Sequence, residues 1–238
     1  MQRLLSGIEG LDQLLYGGFP KGRAYLIAGE PGTGKTLFSL QYLLEGLKNG
    51  ESAVYITIDE KPEHIILDAE SLGWDLQPYL KNGQFKIIDV TNYFASTKIG
   101  EKQDIKTEQV IYDILNYVKK QNAHRLAIDP IAPVVFNPQN NMNEIVEYIR
   151  KLVFAIEENS ECTTLITSYI PVGSDKVSPH GIEEFVSSGI IVLKLKKNNQ
   201  GKNIRTITVR KMRGTRIELS EYSFEILPDR GLVLRQPL

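Results

Sequence analysis

The sequence predicts an α/β protein. A mostly parallel, twisted sheet should carry helices on both faces and gain antiparallel strands at its C-terminal end. Three observations lead there. Apolar runs of strand length alternate with helical spacing as far as residue 168, the pattern of a parallel sheet with crossover helices. A glycine-rich loop joins the first such run to the first such helix. From Gly189 onward only strand-like segments remain, and Asn198-Asn199-Gln200-Gly201 reads as a hairpin loop between the first two.

Taken in order, residues 1–23 form a packed lead-in. Ile8, Leu11, Leu14 and Leu15 fit one face of a short helix, and the Gly17-Gly18-Phe19-Pro20-Lys21-Gly22 stretch is a turn into the first core strand. Strands are expected at 24–28, 53–58, 85–90, 126–129 and 163–168. Apolar residues at Leu37, Leu40, Leu43, Leu44 and Leu47 predict a helix over 37–48. Pro62 suits a helix start, and Gly73 closes that helix after about Ser71. Further helices are expected over 110–118 and 145–156, and loops at 95–106, 130–143 and 171–181. The terminal strands fall at 190–196, 204–211, 217–226 and 232–234. No Gly/Ser- or Pro-rich linker divides the chain and no repeat is present. Residues 1–238 are therefore expected to be one domain, with 190–238 as a β extension.

The loop between the first strand and helix is Gly29-Glu30-Pro31-Gly32-Thr33-Gly34-Lys35-Thr36. It satisfies G-x-x-x-x-G-K-[ST] at every required position, in the strand–loop–helix context that the motif demands. Gly32 and Gly34 free the backbone to turn its N–H groups onto an anion. The helix N-terminus adds partial positive charge. Lys35 would reach the β- and γ-phosphates, and the Thr36 hydroxyl would ligate Mg²⁺. The nucleotide-contacting stretch is expected to run through Glu30, Pro31, Gly32, Thr33, Gly34, Lys35, Thr36 and Leu37. ATP and Mg²⁺ are the expected ligands.

In a parallel sheet, ligands gather at the C-terminal strand ends. Asp129 ends one expected strand and Asp59-Glu60 ends another. Asp129 fits the strand-end aspartate that holds Mg²⁺ through water beside a phosphate loop. Hydrolysis also needs a group to orient and deprotonate water. Glu60 is the candidate base, with Asp59 beside it; the plainer alternative is an acidic helix start. His64, His124 and His180 have no metal-ligand spacing, and Trp74 reads as a packing anchor.

Composition excludes several classes. Hydrophobic residues make up 42%, which suits a globular core, and no run approaches the roughly 18 apolar residues of a membrane span. Cys162 is the only cysteine, so no internal disulfide forms, and a reducing, cytoplasmic setting is expected. The net charge of −1 hides a division. Residues 190–216 carry nine basic residues and no acidic one, leaving 19 basic against 29 acidic elsewhere. Such a hairpin could contact nucleic acid or guard a sheet edge with lysines. It could also approach the triphosphate of a neighbouring copy, with Lys211-Met212-Arg213-Gly214 supplying cations as an arginine finger does.

Together these stretches resemble the KaiC-like branch of the RecA/RadA superfamily of ATPases. The carriers are Ser6-Gly7-Ile8-Glu9-Gly10-Leu11-Asp12 with Gly17-Gly18, the phosphate loop, Asp59-Glu60 with Pro62, Gly73-Trp74-Asp75-Leu76, Asp129, Gly181-Ile182-Glu183-Glu184-Phe185-Val186-Ser187, and Lys211-Met212-Arg213-Gly214-Thr215. The resemblance covers almost the whole chain. It implies a RecA-like P-loop NTPase core, a hexameric ring with ATP at subunit interfaces, and a carboxylate pair with Glu60 as the base. It also implies cross-interface contacts from Lys211, Arg213 and Thr215. Where the first carboxylate of the pair is usually Glu, this chain has Asp59. Pro130 and Tyr169-Ile170 also depart from the family pattern.

Three functions are weighed: a ring ATPase coupled to regulation, a recombinase-like DNA-binding ATPase, and a slow nucleotide-dependent scaffold. In RecA-like rings the loops that correspond to 130–143 and 169–183 contact DNA. The first has no Lys or Arg and the second only Lys176. Phosphate neutralisation dominates DNA affinity, so the recombinase reading is the weaker one.

Overall fold

The computed structural model describes residues 1–90, 107–131, 142–159, 161–170, 176–179, 181–198 and 200–238. The loop expected at 95–106 lies outside them, as do most of those at 130–143 and 171–181. In chain order the elements are β1 (Arg3–Leu4), α1 (Leu11–Leu14), β2 (Phe19–Pro20), β3 (Ala24–Gly29), α2 (Lys35–Lys48), β4 (Ala53–Thr57), α3 (Pro62–Ser71), α4 (Gln77–Lys81), β5 (Phe85–Asp89), α5 (Thr107–Lys120), β6 (Arg125–Asp129), α6 (Met142–Asn159), β7 (Thr163–Tyr169), α7 (Ile182–Val186), β8 (Gly189–Lys197), β9 (Asn203–Met212), β10 (Glu221–Leu227) and β11 (Gly231–Pro237).

The large sheet runs β11-β10-β9-β8-β3-β7-β6-β4-β5. From β8 to β5 neighbouring strands are parallel, and from β8 to β11 they are antiparallel. This is the predicted α/β class, including its antiparallel C-terminal end. The central strands are apolar throughout because both faces are covered. One face packs Tyr25, Ile27, Tyr55, Ala127 and Leu165 against Phe38, Leu40, Leu43, Leu44 and Leu47 of α2. The other packs Val54, Ile56, Leu126, Ile128 and Ile166 against α5 and α6 through Ile111, Ile114, Ile149 and Leu152. Each such side chain contributes about 1.5–3 kcal/mol on burial, so α2, with Phe38 and eight further buried residues, is anchored firmly.

The antiparallel strands curl back over α2. Buried Gln41 donates to Gly7 O at 2.8 Å and Arg230 O at 2.9 Å, and accepts from Leu232 N at 2.7 Å. One amide thus ties the lead-in and the last hairpin to the phosphate-loop helix. The sheet edge at β11 is partly closed by the lead-in, through a parallel bridge between Glu9 and Val233, which blunts it as a template for further pairing. Trp74 is buried, as its packing reading requires.

At the opposite end of the strands, Arg125 opens β6 with almost no exposure. Its Nε meets Glu51 Oε2 at 2.5 Å. Its Nη1 donates to Tyr42 O at 2.7 Å and Leu5 O at 2.8 Å, and its guanidinium lies 4.5 Å from the centre of the Tyr42 ring. A buried charge persists only when paired and hydrogen-bonded, and here both conditions hold. Among the described residues, no helix is long and apolar enough to cross a membrane.

Several boundaries differ from the sequence reading. The helices extend beyond their apolar spacing because their end residues are polar and carry no periodic signal. Short α4 and α7, and the β1–β2 pair, escape that spacing altogether. The strand expected over 217–226 starts only at Glu221, where Thr208 of β9 first lies opposite. Residues 213–220 are instead the connection that turns the chain back.

Candidate phosphate-loop site

Strand β3 ends at Gly29, and α2 begins at Lys35 with Gly34 as its N-cap. Gly32 and Gly34 have φ of 77° and 98°, the left-handed region where a side chain is strained. Gly29 is needed for space: a Cβ there would lie 2.6 Å from Thr33 Oγ1 and 2.9 Å from Leu193 O. Thr33 is buried, and its hydroxyl donates to Glu30 O at 2.7 Å, which braces the loop from inside. Glycine offers no capping side chain, and the first hydrogen bond of the helix is Phe38 N to Gly34 O at 2.9 Å. The preceding amides of the first turn therefore have no intrahelical acceptor, and an anion suits them.

Lys35 bends back over the loop. Its Nζ donates to Gly29 O at 2.9 Å and Glu30 O at 3.0 Å. Burial lowers its pKa, while the nearby charge of Asp129 works the other way. The ammonium is thus desolvated and held by two neutral carbonyls, so a phosphate would be a stronger partner.

Asp129 gathers three hydroxyls. Thr36 Oγ1 donates to its Oδ2 at 2.8 Å, Tyr55 OH to the same oxygen at 2.5 Å, and Thr167 Oγ1 to Oδ1. The pleat explains the convergence. Successive side chains alternate faces, so Tyr55, Thr57, Asp129 and Thr167 all point to the side where α2 begins. Thr57 and Asp129 are direct partners in the β4–β6 register.

Thr36 and Asp129 fit Mg²⁺. Both present hard oxygen, and a hydroxyl that donates its one proton to Asp129 keeps lone pairs for a cation. Among the described residues no three His, Cys, Asp or Glu side chains cluster as a metal site. A cation here would draw its other oxygens from phosphate and water, as Mg²⁺ commonly does.

Asp59 and Glu60 follow β4 at the same end. Desolvation raises the pKa of both, and the negative field of Asp129 raises each further. Asp68 adds to the rise at Glu60 and His64 opposes it. Thr57 Oγ1 donates to Glu60 O at 2.6 Å, so this turn is tied to the strand end. Asp59 and Glu60 therefore both feel the charge of Asp129, the carboxylate that Thr36 meets.

Lys211 and Arg213 lie elsewhere. Lys211 pairs with Ile190 and Met212 with Gly189, while Gly189 pairs with Tyr25. That level is Met212's, four steps of β3 from Gly29, or about 13 Å at the rise of a strand; Ile190 pairs with Leu26, so Lys211 stands three steps away, about 10 Å. Their polar tips cap the C-terminal end of α7. Lys211 Nζ donates to Ser187 O at 2.7 Å and Glu184 O at 2.9 Å, and Arg213 Nη2 to Phe185 O at 3.1 Å. Burial and the charge of Arg213 lower the pKa of Lys211. Thr215 Oγ1 accepts from Arg3 Nη2 at 2.8 Å, which joins this loop to the lead-in. The structure brings Thr36, Asp129, Asp59, Glu60 and Lys35 together, and it sets Lys211, Arg213 and Thr215 apart from them.

The family described as ATPase: KaiC matches residues 4–237. The chain belongs to this KaiC family. It is 31% identical over 238 residues to a UPF0273 protein of Pyrococcus horikoshii, covering 98% of this chain and 94% of that one. It is 30% identical to the circadian clock protein KaiC3 of Synechocystis, again over 98% of this chain but only 46% of the clock protein. Beside that relative, the KaiC-family chain spans about half the length. The crystal structure of a KaiC-like protein from Pyrococcus horikoshii superposes with a TM-score of 0.84 at 35% identity, covering 99% of both chains. The fold is therefore RecA-like.

Sequence reasoning missed Tyr55, Thr167 and Arg205 of this KaiC-family site. Arg205 donates from Nε to Gly32 O at 3.3 Å, so one cation of the basic hairpin stands over the chain's own loop. Ile226 Cδ1 lies 3.0 Å from where a Cβ of Gly34 would sit. Neither Tyr55 nor Thr167 carried a signal in its own strand, because each meets Asp129 from a different strand. Much of the hairpin's charge is engaged internally, since Lys196 pairs with Glu221 at 2.6 Å and Lys211 and Arg213 hold α7.

Proposed function

We propose that this KaiC-family protein hydrolyses ATP as a homo-oligomeric ring, hexameric by family resemblance, with each triphosphate enclosed between two copies. Turnover would drive a regulatory contact with another protein, in the cytoplasm. The observation that carries the ATPase reading is the meeting of Thr36 with Asp129 at the mouth of the glycine loop, beside Asp59 and Glu60.

Backbone amides between Glu30 and Leu37, Pro31 excepted, cradle the phosphates, and Lys35 exchanges its two carbonyls for β- and γ-phosphate oxygens. Thr36 and Asp129 would hold Mg²⁺, which would supply charge neutralisation there. Glu60 takes a proton from water as the water oxygen attacks the γ-phosphorus. The bond to the bridging oxygen breaks, and ADP leaves with that electron pair. Asp59 stands beside Glu60 as the second carboxylate after the same strand.

The register supports sharing between copies. Cations about 10 Å or more below the loop of their own chain stand away from its γ-phosphate, and the same cations on an adjacent copy would serve it. Lys211, Arg213 and Thr215 then serve the neighbour's nucleotide, and charge on the transferred group is stabilised across the interface.

The test mixes two inactive proteins, Lys35→Ala and Arg213→Ala. Alone, each should lose most turnover. Mixed, they should form some sites that pair an intact Lys35 from one variant with an intact Arg213 from the other, and activity should return. No recovery at any ratio, while both variants still assemble with ATP by mass measurement in solution, overturns the shared site.

A further inference from the structure

The hydroxyl of Tyr55 has no role in the chemistry above, yet it occupies an oxygen of the central carboxylate. Tyr55 is 1% exposed and sits in the middle of β4. Its partner across β6 is Ala127, whose small side chain leaves the ring room to reach diagonally toward Asp129. The OH donates to Asp129 Oδ2, the oxygen that also receives Thr36. A carboxylate has about four acceptor positions, and three of them are filled by Thr36, Tyr55 and Thr167. Thr36 and Thr167 arrive from a helix start and a strand end, both next to loops. Tyr55 alone comes from deep within the core, on a ring locked by the packing of α2.

We infer that Tyr55 is a positioning residue for the metal site: its hydroxyl fixes the Asp129 carboxylate so that Mg²⁺ and nucleotide bind together. This rests on the metal role proposed for Thr36 and Asp129. The physical reason is orientational. Unanchored, the carboxylate rotates about its terminal torsion, which is broad. A hydrogen bond from a buried phenol removes that freedom before the cation arrives. Groups that orient metal-binding side chains are typically worth 10–100-fold in metal affinity.

The test is Tyr55→Phe, which keeps the ring and its packing. Affinity for a fluorescent ATP analogue is measured with excess Mg²⁺ and again in EDTA. Positioning predicts about 10-fold weaker binding with Mg²⁺ and wild-type binding in EDTA. It also predicts a similar rise in the Mg²⁺ concentration that half-saturates the effect. An equal loss in both buffers would mean a structural role and overturn the inference. Thr36→Ala, run in parallel, separates the two layers. If it loses the Mg²⁺ effect while Tyr55→Phe behaves as wild type, only the Tyr55 inference fails. If both keep the full Mg²⁺ effect, the metal site fails and takes the inference with it.

Discussion

At the C-terminal ends of β4, β6 and β7, carboxylates meet hydroxyl donors; below the other end of the same sheet, cations meet backbone carbonyls. The upper region is electrostatically incomplete. Asp59 and Glu60 have raised pKa values, from desolvation and from the charge of Asp129, and Lys35 is desolvated against carbonyls of its own loop. In the lower region Arg125 has a carboxylate, two carbonyls and an aromatic face. The contrast teaches where this chain keeps stability and where it keeps capacity for a ligand. Under the proposed function, charges that repel one another would receive a cation and a polyanion, while paired charges hold the core.

The sharpest break in that comparison is Glu60→Gln. Removing the base should slow turnover by on the order of 10²–10⁴-fold while ATP binding persists, as read by steady-state hydrolysis beside nucleotide binding. Wild-type turnover would refute the base assignment. The next effect belongs to the lower region. Arg125→Met should cost about 3 kcal/mol of unfolding free energy, because it leaves Glu51 without its partner and removes the donor to the Tyr42 and Leu5 carbonyls. Urea unfolding reads this, and a loss under about 1 kcal/mol would show that the cluster is not a structural clamp. Its ATP affinity under native conditions should be unchanged, since Arg125 lies at the far end of β6.

The smallest effect is in pH. Glu60 must be ionised to take a proton, and its raised pKa places the acid limb of turnover above the ordinary glutamate value of about 4.3. Asp68 contributes to that rise through its charge. Asp68→Asn should therefore move the limb to lower pH, in a turnover–pH profile otherwise of the same height. A limb that stays in place would mean that another group sets it.

The phosphate loop was legible because its function needs glycine at fixed positions and a lysine after them. The strand-end acids were legible because a parallel sheet delivers its strand ends to one crevice. Tyr55 and Thr167 were not, since their value lies in meeting Asp129 across separate strands, and spacing within one strand carries no trace of that. The place of Lys211 was equally hidden. Its motif announced a cation but not the sheet level at which the cation would stand.

The amino-acid order alone determined the alternation of elements, the glycine cradle and the list of acids and bases, because these follow from local backbone freedom and from side-chain periodicity. Tertiary structure decided which of them meet. Register between strands distant in sequence put three hydroxyls on one carboxylate, and the antiparallel return of β9 carried Lys211 and Arg213 away from their own loop. Such distances depend on how strands align across the sheet, which no single stretch of chain specifies.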